Sequence, residues 1–226
     1  MRIGLITYDH PHLKTEQLVC RYVENKKVKE INLYALPFRP RKERTILFPH
    51  RPDMKQSVPT KSLEEFSKVK FQKWDGKEDI SQKNDIFVIG GAGILDVSFA
   101  NKKPIVNAHP GIIPLTRGLD SFKWAIYNND PIGNTLHLID NEVDKGEILQ
   151  IKNTPVLSSD NLETLARRHY ENEIDMLANV LDVIENRVMP TEKEKPATMR
   201  MSAEIEAKMA ASFDDWKLKM AHLQKQ

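Results

Sequence analysis

A doubly wound α/β fold with a mostly parallel sheet is what this chain predicts, and three observations predict it. Short apolar runs recur between residues 3 and 151, stretches of helical spacing separate them, and polar residues collect just beyond the ends of the runs. Ile3 to Tyr8 reads as a short buried strand, and Thr15 to Val23 as the helix that follows it. Ile31 to Ala35 is a second strand, flanked by charge at Lys26 to Glu30. Residues 37–60 change character, with prolines at 37, 40, 49, 52 and 59 among Arg39, Arg41, Lys42, Arg44, His50 and Arg51. Repeated prolines remove donors and forbid a continuous helix, so this segment is a loop. Asp85-Ile-Phe-Val-Ile-Gly-Gly has the look of an interior parallel strand, with a short helix near Asp96 to Ala100 after it. Pro104 to Asn107 is another buried strand. Leu119 to Tyr127 fits a helix with Leu119, Phe122 and Ile126 on one face, and Asn134 to Ile139 and Glu147 to Ile151 complete the strands.

Beyond these, Asp160 with Glu163 makes a capping-box-like start. The helix it opens repeats Leu162, Leu165, Tyr170, Ile174, Leu177, Leu181 and Ile184 at helical spacing. Pro190 and Pro196 mark a loop, and from Ser202 a last amphipathic helix carries Ile205, Met209, Trp216, Met220 and Leu223. The expected division is an α/β domain over 1–188 and a C-terminal extension of loop and helix over 189–226. The stripe on the last helix suits either its own domain or a second subunit, which leaves a homodimer open.

Composition narrows the function. With 226 residues there is room for one sizeable domain and an appendage. A formal charge of +2 gives no reason to expect nucleic-acid binding. The single cysteine, Cys20, rules out an internal disulfide and suits a reducing compartment; its helix-like surroundings suggest a buried, inert thiol. The apolar run at the start is too short for a signal peptide, and no stretch is long enough to span a bilayer. A soluble cytoplasmic protein without a membrane partner is the expectation.

The chemistry is concentrated between Asn107 and Asp144. The chain runs Asn107-Ala-His109-Pro110-Gly111-Ile-Ile-Pro114-Leu-Thr-Arg117-Gly118, then Gly133-Asn-Thr135-Leu-His137, then Asp140-Asn-Glu-Val-Asp144-Lys-Gly146. An amide, an imidazole two residues later and a carboxylate from a separate loop are the minimum for acyl transfer: an oxyanion donor, a proton carrier and a group to orient the carrier. An isolated Asn-x-His more often satisfies local backbone groups at a strand end. The full pattern, N-x-H-P-x-x-x-P-x-x-R-G with G-x-T-x-H and D-x-G-x-I, resembles the 10-formyltetrahydrofolate-dependent formyltransferases. That resemblance covers residues 85–185 well and the first 80 poorly. It implies a Rossmann-like sheet and a cytoplasmic enzyme that uses 10-formyltetrahydrofolate as co-substrate.

By the same resemblance, Asn107 holds the formyl oxygen, His109 shuttles the proton and Asp144 orients His109. Thr135 and His137 point to one side of their strand and shape the site, although a satisfied core histidine is an equal reading of His137. No metal is implied, because His109 and His137 come from different elements without a third ligand at a recognisable spacing. The folate would sit between the turn carrying Gly91, Gly93, Ile94 and Leu95 and the segment Ile139, Asp140, Asn141 and Val143. Taken alone, the glycines equally suit a tight strand-to-helix turn, and they do not form a dinucleotide fingerprint.

Departures from the resemblance point to the acceptor. Thr7-Tyr8-Asp9-His10-Pro11-His12 stands where the glycinamide ribonucleotide enzymes place a glycine-rich phosphate loop, and it cannot form the same anion nest. Only a loop and one helix follow residue 188, where the tRNA enzymes continue into a β-barrel domain. The plan then looks most like a sugar N-formyltransferase acting on a nucleotide-linked amino sugar, as in lipopolysaccharide O-antigen synthesis. Another amine such as glycinamide ribonucleotide, and a folate-binding protein that transfers nothing, are the alternatives. Acceptor-side candidates are Tyr8, His10, Lys14, Arg41, Arg44, Arg51, Gly111 and Arg117; the arginines suit a diphosphate, or equally a solvated loop.

Overall fold

The computed structural model describes residues 1–40, 44–93, 95–139 and 146–224. The expectations for Arg41, Ile94, Asp140, Asn141, Val143 and Asp144 lie outside the described residues. The strands are β1 (Arg2–Tyr8), β2 (Glu30–Leu36), β3 (Val69–Lys73), β4 (Ile86–Ile89), β5 (Ile105–His109), β6 (Gly133–Leu138) and β7 (Ile148–Asn153). They form one sheet in the order β3-β2-β1-β4-β5-β6-β7. The first five of that row run parallel, and β6 is antiparallel to both β5 and β7. The order reverses between β1 and β4, where open sheets take their ligands. This is the expected doubly wound α/β architecture.

Parallel interior strands must bury both faces, which is why β1 and β4 read as continuous apolar runs rather than as alternation. On one face Ile3, Leu5, Ile31 and Leu33 pack with Leu18 and Tyr22 of α1 (Leu13–Glu24) and Tyr170, Ile174 and Leu177 of α3 (Leu162–Ala178). On the other, Ile6, Tyr34 and Phe87 meet Trp74, Phe99 and Ile105. The strand β3 was not expected: only Val69 and Phe71 are apolar among Lys70, Gln72 and Lys73, as suits a charged edge strand.

Several local expectations change. Cys20 is exposed, because the buried stripe of α1 (Leu18, Val19, Tyr22) turns it to the opposite side. Residual desolvation, with Glu16 and Glu24 one turn away on either side, pushes its thiol pKa up. The helix α2 begins at Ser121 rather than Leu119, because Asp120 takes a left-handed conformation with φ 54° and leaves Leu119 exposed. The capping box of α3 is made by Asn161 and Thr164; Asp160 instead binds Arg168 at 2.7 Å. The apolar stripe running to Ile184 is broken at Asn179, so a separate short helix, α4 (Val180–Val183), follows.

The last helix, α5 (Ala203–Leu223), is capped by Ser202 and packs within its own chain. Met209, Phe213, Trp216 and Met220 meet Phe122 and Ile126 of α2 (Ser121–Tyr127) and Leu165 of α3. Leu223 stays half exposed, and Phe213 fills the stripe. A buried ion pair fixes the packing. Lys123 Nζ of α2 donates to Glu206 Oε1 at 2.7 Å, and both side chains are fully buried. Glu206 Oε2 accepts from the N–H groups of Leu47 and Phe48. Burial would raise this carboxyl, but Lys123 and the two backbone donors outweigh it and hold the pKa below its ordinary value.

Glu206→Ala should therefore lower the unfolding free energy by about 3–5 kcal/mol, because it strands a buried ammonium and two buried donors. Urea titration checks this, and Lys123→Met combined with Glu206→Leu should recover part of the loss.

Candidate active site

The reversal at β6 sets the site. Asn107 of β5 lies opposite His137 of β6, and His109 opposite Thr135. Residues two apart on a strand, and residues paired across it, share a face, so these four side chains point the same way. The intervening Val106, Ala108 and Leu136 face the core. His137 Nδ1–H donates to the Leu138 carbonyl at 2.9 Å, which leaves Nε2 to accept from Asn107 Nδ2 at 3.4 Å. One N–H of the Asn107 amide is thus committed to His137, and that contact orients the other.

His109 is 4 % exposed. Its Nε2 lies 2.8 Å from the Thr116 carbonyl oxygen and 3.1 Å from Ser121 Oγ. A carbonyl accepts only from a protonated nitrogen, so the ring holds its hydrogen on Nε2. The loop that presents Thr116 is built tightly. Thr135 Oγ1 donates to the Gly111 carbonyl and accepts from the Ile113 N–H, and Thr116 Oγ1 accepts from the Ile112 N–H. A side chain at 111 would not fit, since its Cβ would sit 2.3 Å from the Thr116 oxygen and 2.8 Å from His109 Nε2. Gly111 therefore lets the Thr116 carbonyl and the imidazole come close to each other. Thr116 and Ser121 are the residues sequence reasoning missed; only the hydroxyl beside Asp120 at the start of α2 hints at the second.

Of the expected folate residues, Ile139 lines a cavity of about 590 Å³ with Val97, Ile105, Leu138, Lys102 and Lys103. Gly91, Gly93 and Leu95 do not line it. Gly91 is required by close packing, as a Cβ there would stand 2.8 Å from both the Tyr8 and His12 rings, whereas Gly93 faces open space. Leu95 and Ala92 pack against the core on the Phe87–Phe99 face of the sheet.

The acceptor-side candidates separate into two groups. Lys14 and Arg51 converge on Glu173 of α3, at 2.8 and 2.7 Å. Tyr8 and His10 share an aromatic cluster with Phe38, the His10 and Phe38 rings 4.3 Å apart. Arg44 is drawn away to Asp120, Glu206 and the Met201 carbonyl. Arg117 is buried and held by Glu194 and the Lys195 carbonyl, beside a cavity of about 400 Å³ lined also by Ile113, Pro114 and Met189. Neither of these arginines joins the Lys14–Arg51 cluster.

Glu173 and His169 also escaped sequence reasoning; both are buried on α3 among its apolar residues. His169 Nε2–H points to the Pro110 carbonyl, next to His109, and its Nδ1 accepts from Thr154 Oγ1. Burial pushes the His169 pKa down to about 4. Burial, with Lys14 and Arg51 nearby, does the same to His12, also to about 4. For Glu173 burial acts upward, but Arg51 and Lys14 together win and hold it at about 2.

These values fix a sign. The unfolded chain protonates its histidines as pH falls through about 6.5, while His12 and His169 in the fold resist to about 4. Unfolding then takes up protons, so stability is full above pH 6.5 and is lost between 6.5 and 4, by up to about 1.4 kcal/mol per pH unit for each histidine. Glu173 adds a loss at lower pH, from 4.5 toward 2. Denaturant titrations from neutral pH to pH 4 should show this slope and His169→Gln should reduce it; a flat profile would contradict the assignment.

On one strand of an open α/β sheet, then, stand an amide oriented by His137 and an imidazole whose Nε2–H is held by Thr116 and Ser121. The profile of the formyl transferase family matches residues 88–181 of this chain. It is 29% identical over 140 residues to the methionyl-tRNA formyltransferase of Ehrlichia canis (strain Jake), covering 59% of this chain and 46% of that protein. The chain thus spans about half the length of this curated relative. In structure it resembles formyltransferase PseJ from Anoxybacillus kamchatkensis, solved with UDP-4,6-dideoxy-4-formamido-L-AltNAc and tetrahydrofolate. The TM-score is 0.56 at 16% identity, covering 98% of this chain and 97% of that one. It also resembles the phosphoribosylglycinamide formyltransferase of Anaplasma phagocytophilum, with a TM-score of 0.58 at 20% identity, over 81% and 86% of the two chains.

Proposed function

We propose that this chain transfers a formyl group from 10-formyltetrahydrofolate to the amine of a nucleotide-linked amino sugar. The observation that carries the reading is the pair Asn107 and His109, side by side at the end of β5 and each held by a partner that fixes its polarity. The amine nitrogen attacks the formyl carbon, and the Asn107 N–H supports the oxygen as it becomes an oxyanion. His109 takes the proton from the attacking amine and passes one to N10 of the folate as the C–N10 bond breaks. Asp144, assigned from the motif, steadies the imidazole while it is cationic. His137 acts through Asn107. The cavity beside Ile139, Val97 and Ile105 is apolar enough on one side for the donor's flat ring.

The acceptor class follows from the turn between β1 and α1. Pro11 has no N–H to give, and Tyr8, His10 and Phe38 crowd the turn with rings, so a phosphate nest of consecutive amides does not form there. That argues against glycinamide ribonucleotide. The buried Lys14–Glu173–Arg51 cluster and the exposed Phe38 suit an acceptor with both anionic and flat parts.

An assay of the purified chain with 10-formyltetrahydrofolate and a panel of amines tests this. Nucleotide-linked amino sugars should be formylated and glycinamide ribonucleotide should not; folate binding with no formylation of any amine would favour a pure binder. His109→Ala should lower kcat by about 100- to 10,000-fold while donor affinity is kept. Asn107→Ala should cost on the order of 3 kcal/mol of transition-state stabilisation. A near-normal rate for His109→Ala would remove this residue from the mechanism.

A further inference from the structure

Residues 194–201 lie beyond the matched segment and hold none of the groups assigned to the reaction, yet they are bonded along the loop that carries Thr116. Thr198 is the centre of this contact. Its N–H and Oγ1 donate to the Arg117 carbonyl, both at 2.9 Å, Oγ1 also lies 2.8 Å from the Leu119 carbonyl, and the Leu119 N–H donates to the Thr198 carbonyl at 2.8 Å. On one side the Lys195 N–H reaches the Pro114 carbonyl; on the other the Met201 N–H reaches Asp120 Oδ2. Arg117 is tied to Glu194 at 2.6 Å.

Two glycines make this stack possible. At Gly118, with φ +90°, a Cβ would stand 2.3 Å from the Thr198 oxygen. At Gly111 a Cβ would meet the Thr116 oxygen and the His109 ring. The loop is therefore pressed between residue 198 on one side and the imidazole on the other. Ser121 Oγ, which donates to the Gly118 carbonyl at 3.0 Å, is left to accept from His109 Nε2 beside the Thr116 carbonyl.

We propose that residues 194–201 are a positioning strap for His109, with Thr198 as its central residue. By holding the loop 114–120 it keeps the Thr116 carbonyl and the Ser121 hydroxyl on Nε2. Those two acceptors hold the Nε2–H in place and so fix how the imidazole is presented to the reacting amine. The inference rests on the reading of His109 as the proton carrier. Thr198 touches no reacting atom, so it is a positioning residue.

The test uses the full chain with 15N-labelled histidine and long-range proton–nitrogen correlation at about pH 8, where an ordinary histidine is neutral. The His109 signals, assigned by their loss in His109→Gln, should show hydrogen on Nε2. Thr198→Val should move them toward a mixture of tautomers and lower kcat about tenfold, with KM for 10-formyltetrahydrofolate unchanged. Thr198→Ser should restore both. If Thr198→Val does not fold, the wild-type spectrum and Ser121→Ala decide: hydrogen on Nδ1 in the wild type, or an unchanged tautomer and kcat in Ser121→Ala, overturns the proposal. An unchanged tautomer and rate in folded Thr198→Val also overturns it. A tautomer that responds to residue 198 in a protein that formylates no amine would support the strap and overturn the formyl-transfer reading instead.

Discussion

The pairing of β6 against β5 is the constraint on which the site depends. Val106, Ala108 and Leu136 are sealed into the core on one face, so the register cannot slip by one residue without exposing them. That burial decides where the polar face points. It sets Asn107 opposite His137 and His109 opposite Thr135, and each opposite residue does work for its neighbour. His137 takes one hydrogen of the Asn107 amide, and Thr135 gathers the loop that returns to His109. A hydrophobic constraint on one side of a strand thus becomes an electrostatic arrangement on the other.

A second pattern runs through the loops: they are pinned by carboxylates, two of them buried. Among the described residues, 37–40 and 44–59 contain no regular element, and three glutamates hold parts of this segment. Glu206 receives the backbone at Leu47 and Phe48, Glu173 receives Arg51, and Glu16 receives Ser57 and the Val58 N–H. Prolines lower the entropy lost when such a loop is fixed, and the charged hydrogen bonds supply its geometry. Arg44 and Arg51 are therefore anchors of the segment, and Arg51 also lies above the ring of Tyr170 and shares Glu173 with Lys14.

The legibility of the sequence follows the range of the interactions involved. Strands β1, β4 and β5 are visible because their burial is written in consecutive residues, and α5 because its stripe repeats over 21 residues. The edge strand β3 was hidden, since one covered face leaves only Val69 and Phe71 as a signal. Cys20 misled because an apolar neighbourhood in sequence is not one side of a helix. Asn107 and His109 could be found from their motif, but their partners could not all be: Ser121 acts across a loop, and the ion pair between Arg44 and Asp120 joins residues 76 apart. Glu173 and His169 were masked by the apolar residues that share their helix face. What periodicity shows is which surface is buried; it does not show which buried polar groups have found each other.

The most direct measurement of the central claim is a crystal structure of the chain with a stable analogue of the formyl donor. The account predicts the formyl oxygen within about 2.7–3.1 Å of Asn107 Nδ2, with the His109 ring beside the formyl carbon on the open side of β5. A donor seated with its formyl group turned away from Asn107 and His109, or bound at another edge of the sheet, would contradict it.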